Sequence, residues 1–482
     1  MKTPLNEDNF VRLAKTLMDK HGISYEQALG RLMTMRLRII CGPESLRMAA
    51  YQAALLTAVN TGGRSFLGKV LVDMPPDVPM LLPWSGKLPL GKVVQDLGGT
   101  LGDDGEECDA TLALGPESPA ATDAIRVLCD GWRGGVQRAD VETVAFVPGE
   151  DFSLGGVFAG GLAVEHAFLN ACGLTAYVPD RPRGMSLWRP DLDWLDEPAV
   201  GPRLLYLPKR LWLIGLGHLG QAYLWSMGLL PYGSSAEASF MLQDFDRVAS
   251  ANWVAGLICR EQDAGEYKTR IVARWLEARG FRTAITERPY DEHTIRTGEE
   301  PFVALCGVDV TDARRLLENA GFDLVVECGV GSTVADFDRM KLHTFPGASK
   351  KAADVWPAAQ EVANPREASP MMLDALKDQE DCGVLANTLE NKAISASFVG
   401  AAAGALVVGE VLRALHGGCR CDLLHAHLRA VHNRAVSAHP NSYKTEMART
   451  GFVLAGQPDA MKREEGIYVP LPRHSVAMPT CR

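Results

Sequence analysis

Three glycines, Gly215, Gly217 and Gly220, form the pattern G-x-G-x-x-G directly after a predicted strand and before a predicted helix. The first glycine suits a tight turn, the second lets a phosphate approach the backbone, and the third lets the helix and strand pack closely. Asp244 ends the next predicted strand, where its carboxylate is placed to accept hydrogen bonds from a ribose. The pattern predicts a nucleotide site. NAD and ATP both satisfy it, and a close-packed turn without a ligand is the remaining interpretation.

Four further residues favour ATP over a dinucleotide. Asn252 and Lys268 follow Asp244 in the chain, Asp309 ends a later predicted strand, and Arg314 comes five residues after it. Attack on the α-phosphate of ATP needs cationic donors and a carboxylate that holds Mg²⁺, whereas hydride transfer needs neither. Each residue alone fits an exposed surface charge. Their combination predicts a site for ATP and Mg²⁺, with Lys268 as a catalytic cation and Asp309 as the metal ligand.

The strands and helices that must position these residues are predicted twice, in the same order. In the first half, strand patterns lie at 36–42, 69–75 and 109–115 and helical patterns at 45–60 and 160–173. In the second half, strand patterns lie at 211–220, 238–246, 301–309 and 322–330, and a helical pattern lies at 398–418. We predict an α/β protein of two tandem Rossmann-like halves. The alternative is that any two doubly wound domains share this order.

A proline-rich segment separates the two halves. Six prolines lie within or directly after residues 176–205 and exclude a long helix, so we interpret this segment as a connector. Residues 1–175 then form the first domain, residues 206–435 the second domain, and residues 436–482 a short tail. The first domain has ICGPESL where the second has IGLGHLG, so only the second copy keeps the glycine pattern.

The second half resembles the ThiF/MoeB and ubiquitin-activating-enzyme superfamily. The matching segments are GLGHLG, DFDRVASANW (244–253), DAGEYK (263–268) and CGVDVTDARR (306–315). The resemblance covers about 206–435. It implies adenylation of the C-terminal carboxylate of a ubiquitin-like protein, with Asp244 on the ATP ribose, Asn252 and Lys268 on the phosphates, and Asp309 on the magnesium. It also implies a pseudodimer within one chain, in which a degenerate first half packs on an active second half, and it leaves a homodimer of such chains open.

The sequence departs from this family in two places. The family has an arginine three residues after the Asn252 position, and here that residue is Ala255. Arg260, Arg31 and Arg36 are the candidates for the missing phosphate contact, and spacing does not choose among them. The C-x-x-C pairs of zinc-bearing relatives are also absent, so we expect no structural zinc.

One cysteine has the position that the family uses for thioester formation. Relatives carry the catalytic thiol in a crossover loop, here about 346–392, and Cys382 lies in that segment. The acidic residues directly before Cys382 raise a thiol pKa, so the prediction depends on its position in the chain. Cys259 is the alternative nucleophile. Cys306 and Cys328 lie inside predicted apolar strands and are expected to belong to the core.

Composition limits the class of protein and its partners. The formal charge is −10, and the sequence contains no block of basic residues that would follow a phosphate backbone, so we expect no nucleic acid as a main partner. Scattered cysteines and an amphipathic N-terminus indicate a cytoplasmic protein without a membrane segment. The expected partners are a ubiquitin-like protein ending in Gly and a conjugating enzyme.

Three other functions remain open from the sequence. The first is adenylation of a peptide, a sulfur carrier or tRNA without a thioester step. The second is a nicotinamide-dependent oxidoreductase, which leaves Lys268, Asp309 and Arg314 without a role. The third is a scaffold that binds nucleotide without turnover, which the loss of arginine at Ala255 makes conceivable.

Overall fold

The computed structural model describes residues 5–86, 88–119, 123–174, 181–347, 350–356, 367–377, 382–440 and 449–456. Parts of the predicted crossover loop and of the predicted tail lie outside these residues. The acidic residues directly before Cys382 are among those not described, and of Cys382 only the backbone is described.

The first half is built around one twisted sheet. Its strands are β1 (Arg36–Cys41), β2 (Lys69–Asp73), β3 (Gly99–Leu101), β4 (Ala110–Leu114), β5 (Ile125–Cys129), β6 (Arg133–Arg138) and β7 (Arg183–Ser186). Its helices are α1 (Ala14–His21), α2 (Tyr25–Thr34), α3 (Ala49–Gly62), α4 (Leu90–Asp96) and α5 (Ser153–Ala171). The strand order is β3-β2-β1-β4-β5-β6-β7, parallel as far as β5 and antiparallel from there.

The second half repeats this arrangement. Its strands are β8 (Tyr206–Pro208), β9 (Arg210–Ile214), β10 (Ser239–Gln243), β11 (Arg282–Thr286), β12 (Val303–Cys306), β13 (Leu324–Val330), β14 (Arg339–Phe345), β15 (Arg420–His427), β16 (Arg434–His439) and β17 (Phe452–Leu454). Its helices are α6 (His218–Gly228), α7 (Lys268–Glu277), α8 (Thr311–Arg315), α9 (Ala352–Val355), α10 (Pro370–Leu376), α11 (Cys382–Asn391) and α12 (Ser397–His416). The sheet order is β11-β10-β9-β12-β13-β14-β15-β16, parallel as far as β13.

Seven strands of the second sheet, β9 to β15, repeat the order of the seven strands of the first sheet. In each, the first of the seven has the second and third on one side and the fourth to seventh on the other, and β16 adds an eighth strand at the edge of the second sheet. The predicted α/β class with two Rossmann-like halves is confirmed. Strand β7 of the first sheet lies within the segment that we interpret as a connector. From the tail, β17 returns to pair with β8 at the start of the second half.

Helices α3, α5, α12 and α6 pack side by side in one apolar core shared by the two halves. Glycines let their backbones approach closely. A Cβ atom on Gly156 of α5 would lie 1.9 Å from the Ala50 carbonyl oxygen of α3, and one on Gly161 would lie 2.6 Å from the Phe398 oxygen of α12. Helix α12 is long and apolar enough to cross a membrane, but 94% of its apolar window is buried inside the protein. The apolar residues of α12 are therefore those of a helix in the core of the protein.

Replacing Gly156 with alanine is expected to lower the free energy of unfolding by about 3 kcal/mol, because the new methyl group would force α3 and α5 apart. Chemical denaturation of the full chain would measure the loss. Gly30→Ala in α2 is the matched control, since nothing lies within 4 Å of the added Cβ and alanine is the better helix former by about 1 kcal/mol. Equal stability of the two variants would contradict the close helix contact.

Candidate active site

The carboxyl ends of the parallel strands β9, β10 and β12 border one cleft of about 580 Å³. Strands β9 and β12 are neighbours, but the chain leaves them toward opposite edges of the sheet. Ligands of open α/β sheets bind at such a topological switch point. A smaller cavity of about 140 Å³ adjoins the cleft and shares Gly217, Lys268 and Asp309 with it.

The glycine loop after β9 is shaped for a closely approaching ligand. Gly215 has φ +80°, and a Cβ there would lie 2.7 Å from the Val308 side chain. A Cβ on Gly220 would lie 1.9 Å from the Gly215 carbonyl oxygen, so the third glycine lets α6 pack against the turn. Nothing lies within 4 Å of a Cβ on Gly217, which faces the open cleft. Gly215 and Gly220 therefore meet the steric demands of the turn and of the helix packing, and the phosphate contact at Gly217 stays a prediction.

Asp244 follows β10 and is only 8% exposed. Its Oδ2 accepts a hydrogen bond of 2.6 Å from the Leu216 amide, and its Oδ1 accepts one of 2.8 Å from the Asp246 amide. The carboxylate thus holds the glycine loop against the second strand. Each oxygen of an ionised carboxylate has a further lone pair, so the ribose contact stays compatible with this geometry.

The predicted phosphate residues surround the smaller cavity, at the end of the cleft that it adjoins, and of the two cavities Asn252 lines only the smaller. Asn252 begins a short 3₁₀ turn, and its side-chain oxygen accepts a bond of 3.0 Å from the Ala249 amide. Lys268 begins α7, with Nζ 2.6 Å from an Asp246 oxygen. Asp309 is exposed on the loop after β12 and lines both cavities. Two oxygen-bearing side chains and a lysine are therefore grouped beside the free N-terminus of α6.

A residue that the motifs do not indicate completes this end of the cleft. Arg12, just before α1, lines both cavities with Lys268 and Asp309, and Ala255 borders the smaller one. Burial lowers the pKa of its guanidinium, and the Asp309 and Glu7 carboxylates oppose that shift. The first half thus supplies an arginine beside the position where the family arginine is missing. No motif surrounds Arg12, and more than 230 residues separate it from Asn252 and Ala255. The spacing of residues in the sequence therefore gives no signal for its place in the cleft.

The three arginines proposed from the sequence lie elsewhere. Arg31 donates to the Ala171 carbonyl at 3.3 Å, and Arg36 pairs with Asp104 and Glu106 at the edge of the first sheet. Arg260 is exposed and its amide bonds to Asp263. None of the three borders the two cavities described above.

Arg314, which the sequence places among the residues that favour ATP, contacts other groups of the protein itself. Its Nε donates to the Val308 carbonyl at 2.7 Å, and its Nη1 lies 3.4 Å from the buried Glu327 carboxylate. Arg314 also lines the cleft. The guanidinium therefore supports the loop that carries Asp309.

The end of α11 and the link from it to α12, residues 389–396, are called here the return segment. Arg12 and His218 of the cleft and Lys15 of α1 hold its carbonyl groups. Lys15 donates to Leu389, Glu390 and Lys392, Arg12 to Ala393 at 3.3 Å, and His218 to Ala396 at 3.0 Å. Burial lowers the pKa of His218 to about 4, so its imidazole is neutral near pH 7 and donates through Nε2. The helix that begins at Cys382 is therefore anchored at its other end to the phosphate end of the cleft.

Most of the cysteines that the structure describes are buried, with Cys108 and Cys419 partly exposed. Cys259, the alternative nucleophile, is buried, and burial raises the pKa of its thiol. Burial also raises the thiol pKa of Cys306 and Cys328, which lie in β12 and β13 as expected. Cys382 is the first residue of α11, and its side chain lies outside the description. In the described ranges, no group of three His, Cys, Asp or Glu side chains is arranged to hold a metal ion.

The corresponding loop of the first half is closed by its own chain. After β1, the Ser45 amide and hydroxyl donate to the Glu117 carboxylate at 2.6 and 2.8 Å. A Cβ on Gly42 would lie 2.3 Å from the same carboxylate. A carboxylate of the same half therefore accepts the donors of this loop.

Comparisons with known proteins identify the family of this chain. Two family models match, the BilD N-terminal domain over residues 36–187 and the BilD C-terminal domain over residues 207–418. The Bacterial E1-like protein BilD of Collimonas sp. (strain OK412) is 36% identical over 423 residues, which cover 87% of this chain and 91% of that protein.

Solved structures of E. coli MccB are more distant. The structure with MccA-N7isoASN has a TM-score of 0.32 and 12% identity, covering 48% of this chain and 64% of MccB. The structure with ATP has a TM-score of 0.30 and 11% identity, with the same coverage. The chain thus spans just under two thirds of the length of these MccB chains. From the extent of the match to the full-length relative, the chain belongs to the BilD family of bacterial E1-like proteins.

Proposed function

We propose that this protein uses ATP to adenylate the C-terminal carboxylate of a ubiquitin-like protein. The observation that carries the proposal is the convergence of the glycine loop, Asp244, Lys268, Asp309 and Arg12 on one cleft. Hydride transfer leaves the cations and Asp309 unused, whereas phosphoryl chemistry uses all of them. Membership of the BilD family, with its E1-like relative, supports the same class of reaction.

The chemistry follows from the charges at the phosphate end. A carboxylate oxygen of the substrate attacks the α-phosphorus of ATP, the bond to the bridging oxygen breaks, and pyrophosphate leaves. Lys268 and Arg12 stabilise negative charge that develops on the phosphates, and the N-terminus of α6 adds backbone donors. The exposed Asp309 carboxylate fits Mg²⁺, which prefers oxygen ligands and neutralises phosphate charge.

The two halves act, in this proposal, as a pseudodimer within one chain. The equal strand orders, the Glu117 carboxylate in the first glycine-poor loop and the shared helical core support a degenerate copy packed on an active one. Arg12 supports it further, because the first half then contributes a side chain to the cleft of the second.

The second step proposed is thioester formation at Cys382. The thiol sulfur attacks the acyl carbon of the adenylate, the bond from that carbon to the phosphate oxygen breaks, AMP leaves, and the thiol proton passes to solvent. A conjugating enzyme then accepts the acyl group on its own thiol. The contacts of Lys15 and Arg12 with the return segment support a link between this helix and the cleft.

ATP–pyrophosphate exchange tests the proposed function. The purified full chain is incubated with Mg²⁺-ATP, labelled pyrophosphate and glycine-ended ubiquitin-like proteins. We expect label to enter ATP only when a cognate protein is present. Exchange without a DTT-sensitive adduct would select adenylation without thioester formation, and NADH binding in place of ATP would reject the proposal.

Arg12→Ala is expected to slow exchange about 100-fold. The substitution removes the guanidinium that lines the smaller cavity together with Ala255, the residue that stands where the family has an arginine. The same assay measures it, with ATP concentration varied. Arg31→Ala, also in the N-terminal segment, removes a guanidinium that bonds a carbonyl away from the cleft and should leave the rate unchanged. Equal rates for the two variants would show that Arg12 does not contact the nucleotide.

A further inference from the structure

The end of the cleft away from the phosphate residues has a different character. It is bordered by Pro289 and Tyr290 on the loop after β11, which give apolar walls, and by Gln243 at the end of β10. Asp244 lies between this end and the glycine loop, so a nucleotide whose ribose meets Asp244 would direct its base here. Apolar walls with a few fixed polar groups are the usual surroundings of a bound ring.

Gln243 is 1% exposed and its amide has one defined orientation. The indole Nε1 of Trp212 can only donate, and it lies 2.9 Å from Oε1 of Gln243. The amide nitrogen of Gln243 therefore faces the other way. It donates to the Pro289 carbonyl at 3.0 Å and makes a longer contact of 3.5 Å with the Arg288 carbonyl.

These bonds hold the loop that forms one wall of the base end. Residues 288–290 follow β11, an edge strand whose side chains are mostly exposed, so the strand itself offers the loop little packing. Tyr290 provides the other attachment through its hydroxyl, which donates to the Leu316 carbonyl at 3.2 Å. Gln243 is thus the link from this loop to the centre of the sheet.

The chemistry of the wall favours one type of purine. A carbonyl oxygen has two lone pairs, so the Arg288 and Pro289 oxygens keep acceptor capacity after bonding Gln243. Adenine carries an amino group, a donor, at the ring position where guanine carries an oxygen, an acceptor. A carbonyl oxygen placed against that ring position therefore matches the adenine amino group and repels the guanine oxygen, whereas the donors of guanine lie elsewhere on its ring.

We propose that Gln243 is a positioning residue for base specificity, which holds the 288–290 loop so that its carbonyl groups select adenine over guanine. The inference rests on the proposed function, because it assumes that a nucleotide occupies the cleft. It assigns a role to a buried side chain that no motif includes.

Binding of Mg²⁺-ATP and Mg²⁺-GTP to the full chain tests this role, without any acyl substrate. For Gln243→Leu we expect the ATP dissociation constant to rise about ten-fold, as loss of buried hydrogen bonds would produce, and the ATP-to-GTP preference to fall by a similar factor. Trp212→Phe keeps Gln243 but releases its orientation, and should lower the preference less. Gln243→Asn, whose amide is too short to reach the loop, repeats the test if the leucine variant does not fold.

Gln137→Leu is the matched control. Gln137 is also buried and bonds backbone groups at Glu142 and Val144, but in the first half. It should lower the unfolding temperature without changing the preference between nucleotides. A wild-type preference in the Gln243 variants would overturn the inference alone. A wild-type chain that binds neither nucleotide would overturn the proposed function, and the inference with it.

Discussion

Asp309→Ala is expected to reduce ATP–pyrophosphate exchange about 1,000-fold, the size of effect that follows loss of a group stabilising charge in a phosphoryl-transfer transition state. Asp309 lies on the loop after β12, beside Lys268 and Arg12, and its carboxylate is exposed to the cleft. Removing it leaves both cations in place but removes the oxygen ligand for Mg²⁺. The rate should therefore fall even at saturating ATP.

Two further variants separate this effect from a change in folding. Asp312→Ala removes an equally exposed acid three residues along, on α8, and should exchange at the wild-type rate. Asp309→Asn keeps the shape but loses the charge, and should resemble Asp309→Ala. If Asp309→Ala keeps its melting temperature and exchanges within a few-fold of wild type, the magnesium assignment is wrong.

Cys382→Ala is expected to abolish a DTT-sensitive adduct with the ubiquitin-like substrate while leaving exchange intact. Adenylation requires no thiol, and transfer to sulfur requires one, so a single substitution should separate the two steps. The adduct is measured on non-reducing gels after incubation with Mg²⁺-ATP and labelled substrate. Cys382→Ser should form an oxygen ester that resists DTT and is cleaved by alkali.

Cys108→Ala is the control, because Cys108 is a partly exposed cysteine of the first half. Its removal should leave the adduct unchanged. An adduct that survives in Cys382→Ala would move the nucleophile to another residue. Cys259, buried and with a raised thiol pKa, would have to become exposed in order to serve.

The sequence predicted what depends on local pattern. Gly215, Gly217 and Asp244 follow strands whose apolar runs are distinctive, and the close contacts at the first and third glycines explain why these positions hold glycine. The repeated order of strands and helices predicted two α/β halves, and the structure has two sheets in which seven strands follow the same order. Asp244 and Asp309 line the same cleft because the parallel strands β10 and β12 end at the same edge of one sheet.

Contacts between distant segments were not predictable. Arg12 reaches the cleft only because α1 packs near the return segment, a fact of tertiary structure with no periodic signal. Glu117 closes the first loop from 72 residues away. In strand β15, a register shift lies between Cys421 and Leu423, and Cys421 is buried although it stands an even number of residues before the partly exposed His425. Bulges of this kind depend on the partner strand.

The glycine contacts among the central helices have a consequence for how such a chain can evolve. Because Gly161 of α5 touches the backbone of α12 in the second half, a larger residue there is tolerated only if the second half shifts with it. A change that moves α12 therefore also limits which residues α5 can carry in the first half. In the proposed pseudodimer, the first half would then vary in its loops and at its outer sheet edge, while α5 stays almost fixed.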